Sequence, residues 1–360
     1  MKKPKYPLMT QKEQQQQKIK DQLQRVQNKK QNLCNQTAKI YRQNKGNSKE
    51  SRATYEGKMS KFNEFLAEKY SLEKFKNVAQ KHVTEYVIFR ISQGWAGSTI
   101  TNDLSAIQWT HSRSGSKNKI EATRNIKSNL NIPVPAKTTG TVDRAWMKDE
   151  FELAKNIALD MDREDCCQAL KMARTFGMRI DEACHATVKE FKDALSNGEI
   201  SITGKGNYTR VLLRLKKHQL VVAHEVLEYA RKEGRFNPSD KIISRTGLRG
   251  VEKEKAAVQN WMNNHRGKWE ADFRIKYSEE YEKQKAYCAL SGLKLNTHKI
   301  SFHGLRYNFA QERYEEQYKH YILLGWNDDR ASNQARLDVS EDLGHHRDAV
   351  TNIYLSGSKL

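Results

Sequence analysis

Five short stretches carry residues able to do chemistry on a phosphate. Thr175-Phe176-Gly177-Met178-Arg179-Ile180-Asp181-Glu182-Ala183 puts an arginine just past a glycine turn, at a predicted helix start, with Asp181 and Glu182 able to hold its guanidinium. Lys205 stands between Gly204 and Gly206, where a pliable backbone lets a long cationic side chain swing toward a ligand. His303-Gly304-Leu305-Arg306 spaces an imidazole and a guanidinium one helical turn apart on one face. Leu343-Gly344-His345-His346 precedes Tyr354, which follows His345 by nine residues. Together these supply what a metal-free phosphoryl transfer to a protein side chain requires: a nucleophile, fixed cations around the phosphate, and an acid for the leaving oxygen. Taken singly, each has a structural reading too. Arg179 suits a surface salt bridge, Lys205 a solvated turn, His303 a cap with Arg306 exposed beside it, and Tyr354 plain packing.

The elements that must position these residues follow from periodicity and turn residues. Residues 151–172 and 182–195 read as helices, the second stopped by Ser196-Asn197-Gly198, whose glycine suits a left-handed cap. Ile200-Ser201-Ile202-Thr203 and the run Thr209 to Leu215 flank Gly204-Lys205-Gly206-Asn207, so Lys205 is predicted at the tip of a hairpin. A helix is expected over 219–232 and a highly charged segment over 250–284, facing solvent or a charged partner. Upstream, Phe62, Phe65 and Leu66, then Val83, Val87 and Ile91, then Ile100, Leu104 and Ile107 recur at three- and four-residue steps, the helical period. That small helical domain breaks at Gly94 to Ser98, with Ser98 as the next cap, and at Ser112 to Lys117. Residues 131–140 hold two of the five prolines and suit an extended linker. The expected organisation is therefore an arm over 1–50, a helical domain over 51–130, the linker, and a mixed α and β domain over 141–360.

Composition sets the class. The 360 residues are too many for one small module, and 37% hydrophobic against 30% charged excludes wholesale disorder. Net charge is +21, which a polyanion would match; a solvated basic face is the plainer alternative. Residues 1–50 contain 13 Lys and Arg, 3 Asp and Glu and 11 Gln, so nearly half of the net charge sits there. Leu23, Val26, Leu33 and Ile40 are too sparse there for a buried stripe, so the segment reads as an arm that orders on a partner or stays a solubilising tail. Nothing approaches the roughly 18–20 apolar residues of a membrane helix, nor the core of a signal peptide, and a soluble, cytoplasmic protein is expected. Cys34, Cys166, Cys167, Cys184 and Cys288 have no metal-ligand or disulfide spacing and read as reduced thiols.

The joint order of Arg179, Lys205 in a hairpin, His303-x-x-Arg306, Leu343-Gly344-His345 and Tyr354 resembles the tyrosine recombinases of the phage-integrase type. The resemblance implies a mainly α fold with a small antiparallel sheet: an N-terminal helical, SAM-like core-binding domain and an α+β catalytic domain. It implies that Tyr354 is the nucleophile, forming a 3′-phosphotyrosyl link, and that Arg179 and Arg306 neutralise the phosphate. Lys205 would protonate the leaving 5′ hydroxyl, His303 and His345 would serve proton transfer and phosphate binding, and Asp181 and Glu182 would stand behind the arginine. No cofactor or metal is implied. The implied partner is double-stranded DNA, gripped as a tetramer by a protein monomeric in solution, with accessory directionality factors. The implied role is integration or excision of a mobile element or phage. A type IB topoisomerase shares the residue logic, and a non-catalytic DNA-binding regulator could keep the fold. Three features depart from the family pattern. The interval between Arg306 and His345 is long and holds Tyr314, Tyr318, Tyr321 and Trp326, which predicts an inserted helix or loop and offers rival nucleophiles. His346 offers a shifted register for His345. Six residues follow Tyr354, so another element, the arm included, is expected to make contacts between protomers or bind accessory DNA.

Overall fold

Gln and Lys are good helix formers, and in the computed structural model the basic N-terminal stretch is a helix, α1 (Gln11–Gln43). The structure describes residues 10–44, 49–122, 125, 144–204, 208–244, 250–276, 282–283, 286, 290, 300–344 and 348–355. It divides the chain into two units, Met1–Thr138 and Thr139–Leu360.

In the first unit, Thr10 caps α1 through a reciprocal pair with Glu13: the Thr10 N–H donates to Glu13 Oε2 at 2.7 Å and the Glu13 N–H to Thr10 Oγ1 at 3.3 Å. The N-terminal half of α1 is exposed, but Leu33, Thr37 and Tyr41 are buried against α2 (Lys49–Tyr70) and α4 (Gly97–His111). This differs from the sparse stripe read from hydrophobicity alone. Polar residues complete the buried face: Asn63 Nδ2 donates to Thr37 Oγ1 at 3.1 Å, and Tyr41 stacks on Trp109 at 4.9 Å with its hydroxyl on Thr110. A 3-10 turn (Phe75–Asn77) and α3 (Gln80–Ser92) close the unit. Its core joins Met59, Phe62, Leu66, Val83, Tyr86, Val87, Ile100, Leu104 and Ile107. Asp103, 1% exposed, is neutralised by Arg90 at 3.0 Å and Lys58 at 2.9 Å. Ala96, not Ser98, precedes α4, and Ser98 falls inside its first turn.

The second unit is helical around one two-stranded sheet. The helix expected over 151–172 is two, α5 (Lys148–Asp160) and α6 (Glu164–Phe176), broken where Asp162 adopts φ +54°. The helix expected over 182–195 is also two, α7 (Ile180–His185) and α8 (Val188–Asn197), because Thr187 and Glu190 form a capping box that starts α8. β1 (Ile200–Thr203) pairs antiparallel with β2 (Thr209–Leu212), Ile202 opposite Arg210. β2 stops at Leu212, short of Leu215, before Arg214 turns to φ +54°. Then come α9 (Lys217–Lys232), α10 (Val251–Lys276), α11 (Phe302–Leu323), α12 (Asp328–Asp342) and α13 (Asp348–Tyr354). The charged segment over 250–284 is not merely a solvent face, since α10 buries Val258, Trp261 and Met262 in the core. The long interval after Arg306 is the rest of α11 followed by α12, packed as a helical hairpin. Its tyrosines staple that hairpin: Tyr314 Oη lies 3.0 Å from Ser332 Oγ, Tyr318 donates to Asp328 at 2.9 Å and Tyr321 to Asp338 at 2.7 Å. Cys166, Cys167 and Cys184 are buried free thiols. No described helix is long and apolar enough to cross a membrane.

Candidate active site

The site begins at a helix end. α6 terminates on Gly177 at φ +61°, and a Cβ there would stand 2.5 Å from the Phe309 ring of α11, so only glycine permits this close turn. The chain reverses through buried Met178 and places Arg179 at the N-cap of α7. From there the Arg179 N–H donates to Glu182 Oε2 at 2.9 Å and its guanidinium to Oε1 at 2.5 Å. Glu182 is 3% exposed and collects two more arginines: Arg210 of β2 donates to it at 3.1 Å, and Arg306 of α11 stands 3.7 Å away. Burial alone would push the Glu182 carboxyl up, but Arg210, Arg306 and Arg179 together bring it down to about 2, so it is an anion throughout the neutral range. Three guanidiniums share one carboxylate, which leaves the cluster in positive excess. Arg306 registers that excess: burial first, then Arg210 and Arg179, lower it to about 9.

α11 carries the second half of the site. His303 and Arg306 lie three residues apart near its start, and Gly304 between them lets the main chain of Arg144 and the indole of Trp146 press against the helix, where a Cβ would overlap both. That strap is pinned by Asn308, whose side chain takes the Trp146 N–H at 2.8 Å and gives to its carbonyl at 2.6 Å, and by the Trp146 indole on the Ser301 carbonyl at 3.0 Å. Tyr354, the last residue of α13, is 5% exposed, and its hydroxyl lies 3.0 Å from His303 Nε2. Burial, Arg306, Arg179 and Arg144 lower His303 to about 4, so the imidazole is neutral, and in the tautomer with its proton on Nδ1 its Nε2 can accept the phenol proton. The Tyr307 ring packs on Tyr354 at 4.7 Å, the Arg306 guanidinium lies 5.8 Å from its centroid, and Gln311 donates to its carbonyl at 3.2 Å. A phenol facing a neutral base, with a surplus of cations beside it, can be deprotonated as it attacks an anionic electrophile.

Residues 38–111 match the family described as Phage integrase, N-terminal SAM-like domain. No curated protein sequence matches the chain. Three solved structures are similar over most of it. A lambda integrase tetramer bound to a Holliday junction gives a TM-score of 0.57 at 14% identity, covering 89% of this chain and 76% of that one. A lambda integrase dimer bound to a COC′ core site gives 0.55 at 13% identity, covering 86% and 89%. The Tn1549 transposon integrase in complex with transposon right end DNA gives 0.53 at 13% identity, covering 91% and 95%. The chain has the tyrosine recombinase fold.

Within this tyrosine recombinase fold, Arg179, Glu182, His303, Arg306 and Tyr354, drawn from three separated stretches, meet around one cluster. Asp181 does not join it. Its carboxylate turns to Lys255 of α10 at 3.0 Å, away from the arginines it was expected to back. Arg306 is fully buried and donates to the carbonyls of Gly177 and Leu343. Lys205 and His345, with the alternative His346, lie outside the described residues. Their neighbours are placed: Gly204 stands against Glu182, and Gly344, at φ +67°, against Arg210 and Tyr208. Tyr314, Tyr318 and Tyr321 bond to Ser332, Asp328 and Asp338 of the helical hairpin, and none is bonded to His303 or the arginines. Four contributors were not anticipated: Arg144, Arg210, Tyr307 and Gln311. Only Arg210 left a trace in the sequence, as a charge on the inward beat of a strand, level with Ile202. Among the described residues no group of three or more His, Cys, Asp or Glu converges as metal ligands would.

Proposed function

We propose that the protein is a site-specific DNA recombinase that cuts and rejoins strands through a 3′-phosphotyrosyl intermediate, serving integration or excision of a mobile element or phage. The observation that carries this reading is the 3.0 Å contact between Tyr354 and a neutral His303 beside an arginine cluster in positive excess. In the proposed step, the Tyr354 oxygen attacks the scissile phosphorus and its proton passes to His303 Nε2. The bond from phosphorus to the 5′ oxygen breaks, and Lys205 gives that oxygen a proton. Arg179 and Arg306 neutralise the phosphate, Arg306 exchanging its carbonyl partners for phosphate oxygens, with His345 as a further donor. A 5′ hydroxyl from a second duplex then attacks the phosphotyrosine and restores the phenol. The net charge of +21 supports a grip on DNA phosphates that weakens steeply with salt. A homo-tetramer on two duplexes, with accessory directionality factors, is the assembly this reading entails.

The test mixes the full-length protein and a Tyr354→Phe variant, in EDTA, with supercoiled plasmid carrying the DNA that flanks the gene. Protein attached covalently to DNA after denaturation, dependent on Tyr354, is the expected result. Plasmid relaxed without any exchange between two sites would instead assign a type IB topoisomerase. Tight DNA binding with no adduct would leave a non-catalytic regulator.

A further inference from the structure

β2 turns Arg210 and Leu212 inward and Thr209 and Val211 outward, so the two-residue strand period carries a full positive charge into the core. Arg210 is 5% exposed. Its Nη1 donates to the Asp342 carbonyl at 2.5 Å, and its Nη2 donates to the carbonyls of Phe176 at 3.2 Å and Gly177 at 3.0 Å and to Glu182 Oε2 at 3.1 Å. Phe176 ends α6 and Asp342 ends α12, so one guanidinium sits at the negative ends of two helix dipoles and on a carboxylate. Arg306 reaches the same two helix ends, through the carbonyls of Gly177 and Leu343. The two cations differ in what else they meet. Arg306 lies beside Tyr354, whereas the stem of Arg210 is covered by Gly344, where a Cβ would come within 3.1 Å of Arg210 Cδ.

We propose that Arg210 is a positioning residue: it holds the ends of α6 and α12 and the Glu182 carboxylate in place, so that Arg306 can give up the Gly177 and Leu343 carbonyls to a phosphate without the turn that carries Arg179 coming apart. The proposal rests on the recombinase reading of the site. Lysine cannot do the same work, because one ammonium cannot bridge four acceptors on three chain segments. The charged groups around Glu182 are Arg179 on its own turn, Arg210 from β2 and Arg306 from α11; His303 on α11, Asp342 on α12 and Lys255 on α10, which Asp181 engages, lie beyond them. Removing Arg210 leaves Glu182 buried and without its main opposing cation, so its carboxyl takes up a proton at a higher pH than in the wild type.

The experiment uses the full chain and follows single-turnover formation of the Tyr354 adduct from pH 5 to 8, with DNA affinity measured separately. Arg210→Met is expected to slow the step about 10²-fold at pH 7.5, the scale of a small misplacement in the site, with DNA affinity unchanged. It should add a decline from pH 7 to 5 that the wild type lacks, and the double variant Arg210→Met with Glu182→Gln should lose that added decline. Arg210→Lys should restore the wild-type pH profile and not the full rate. A wild-type rate in Arg210→Met, or a loss by the same factor at every pH, overturns the proposal. If Arg210→Met does not fold, a wild-type rate in Arg210→Lys overturns it, and a slowed rate on an unshifted profile supports it. Absence of any adduct from the wild type refutes the recombinase reading instead. Thermal unfolding then decides on Arg210: extra acid instability of the variant between pH 7 and 5 supports the link to Glu182, and its absence overturns it.

Discussion

Replacing Glu182 by glutamine removes the one carboxylate shared by three arginines and tests the electrostatics of the site directly. The side chain is 3% exposed, and its carboxyl lies at about 2 against an ordinary 4.5. That difference corresponds to about 3 kcal/mol of stability at neutral pH. The folded-state value is the lower one, so this stability is fully present above about pH 4.5 and is lost as pH falls toward 2. Glu182→Gln should therefore cost about 3 kcal/mol at pH 7, a drop of roughly 6–12 °C for a unit of this size. The gap to the wild type should close as pH falls below 4.5. Calorimetry of the full chain at several pH values reads both numbers. A gap under about 1 kcal/mol at pH 7, or one undiminished at pH 3, would refute the reasoning. Arg306, held down to about 9 in the same cluster, shows where the surplus charge resides. A phosphate there would relieve it, so oligonucleotide binding should raise the melting temperature of the wild type.

Four further outcomes are expected. Because burial and nearby arginines hold His303 at about 4, adduct formation should show no titration of this imidazole between pH 6 and 8, while stability should begin to fall as pH drops below 6.5; a histidine-like inflection near 6.5 that His303→Gln removes would contradict this. Gly304→Ala should push the Arg144 carbonyl and Trp146 off α11, costing about 1–3 kcal/mol and slowing the adduct step, as denaturant titration and single-turnover assays can show. Leu33→Ala should cost about 2–5 kcal/mol, since Leu33 is fully buried; a loss of a few tenths would mean that α1 is an independent arm. Phe in place of Tyr314, Tyr318 or Tyr321 should leave the adduct intact in a denaturing gel, and Phe in place of Tyr354 should abolish it.

Much of the architecture was legible along the chain. Helical periods marked α3, α4 and α9, and the glycine at 198 marked the end of α8, because these depend on neighbours within one turn; the glycine turn at 177 was legible too, but the helix before it was read as ending at 172, whereas α6 runs to Phe176. The breaks at Asp162 and Thr187 were harder to see. A left-handed aspartate gives no composition signal, while the Thr187 and Glu190 box was present in the sequence but masked by helical residues on both sides. The buried stripe of α1 was hidden for a different reason. Thr37 and Tyr41 count as polar or ambivalent until Asn63, Thr110 and Trp109 of other helices satisfy and cover them.

The sequence by itself determined the residue types of the candidate site and their order, since the chemistry of phosphate demands cations, an imidazole and a phenol whatever the fold. Which of several acids and tyrosines belong to it was decided only in three dimensions. Asp181 and Glu182 are adjacent in the chain, yet one step around a helix turns the first to Lys255 and the second to three arginines. Tyr318 and Tyr354 differ in the same way, one bonded to Asp328 of a helical hairpin and the other to His303. Local pattern sets the direction of a side chain relative to its own helix and supplies near partners such as Arg179 for Glu182, but the other partners come from segments ten to more than a hundred residues away, and only packing brings those together.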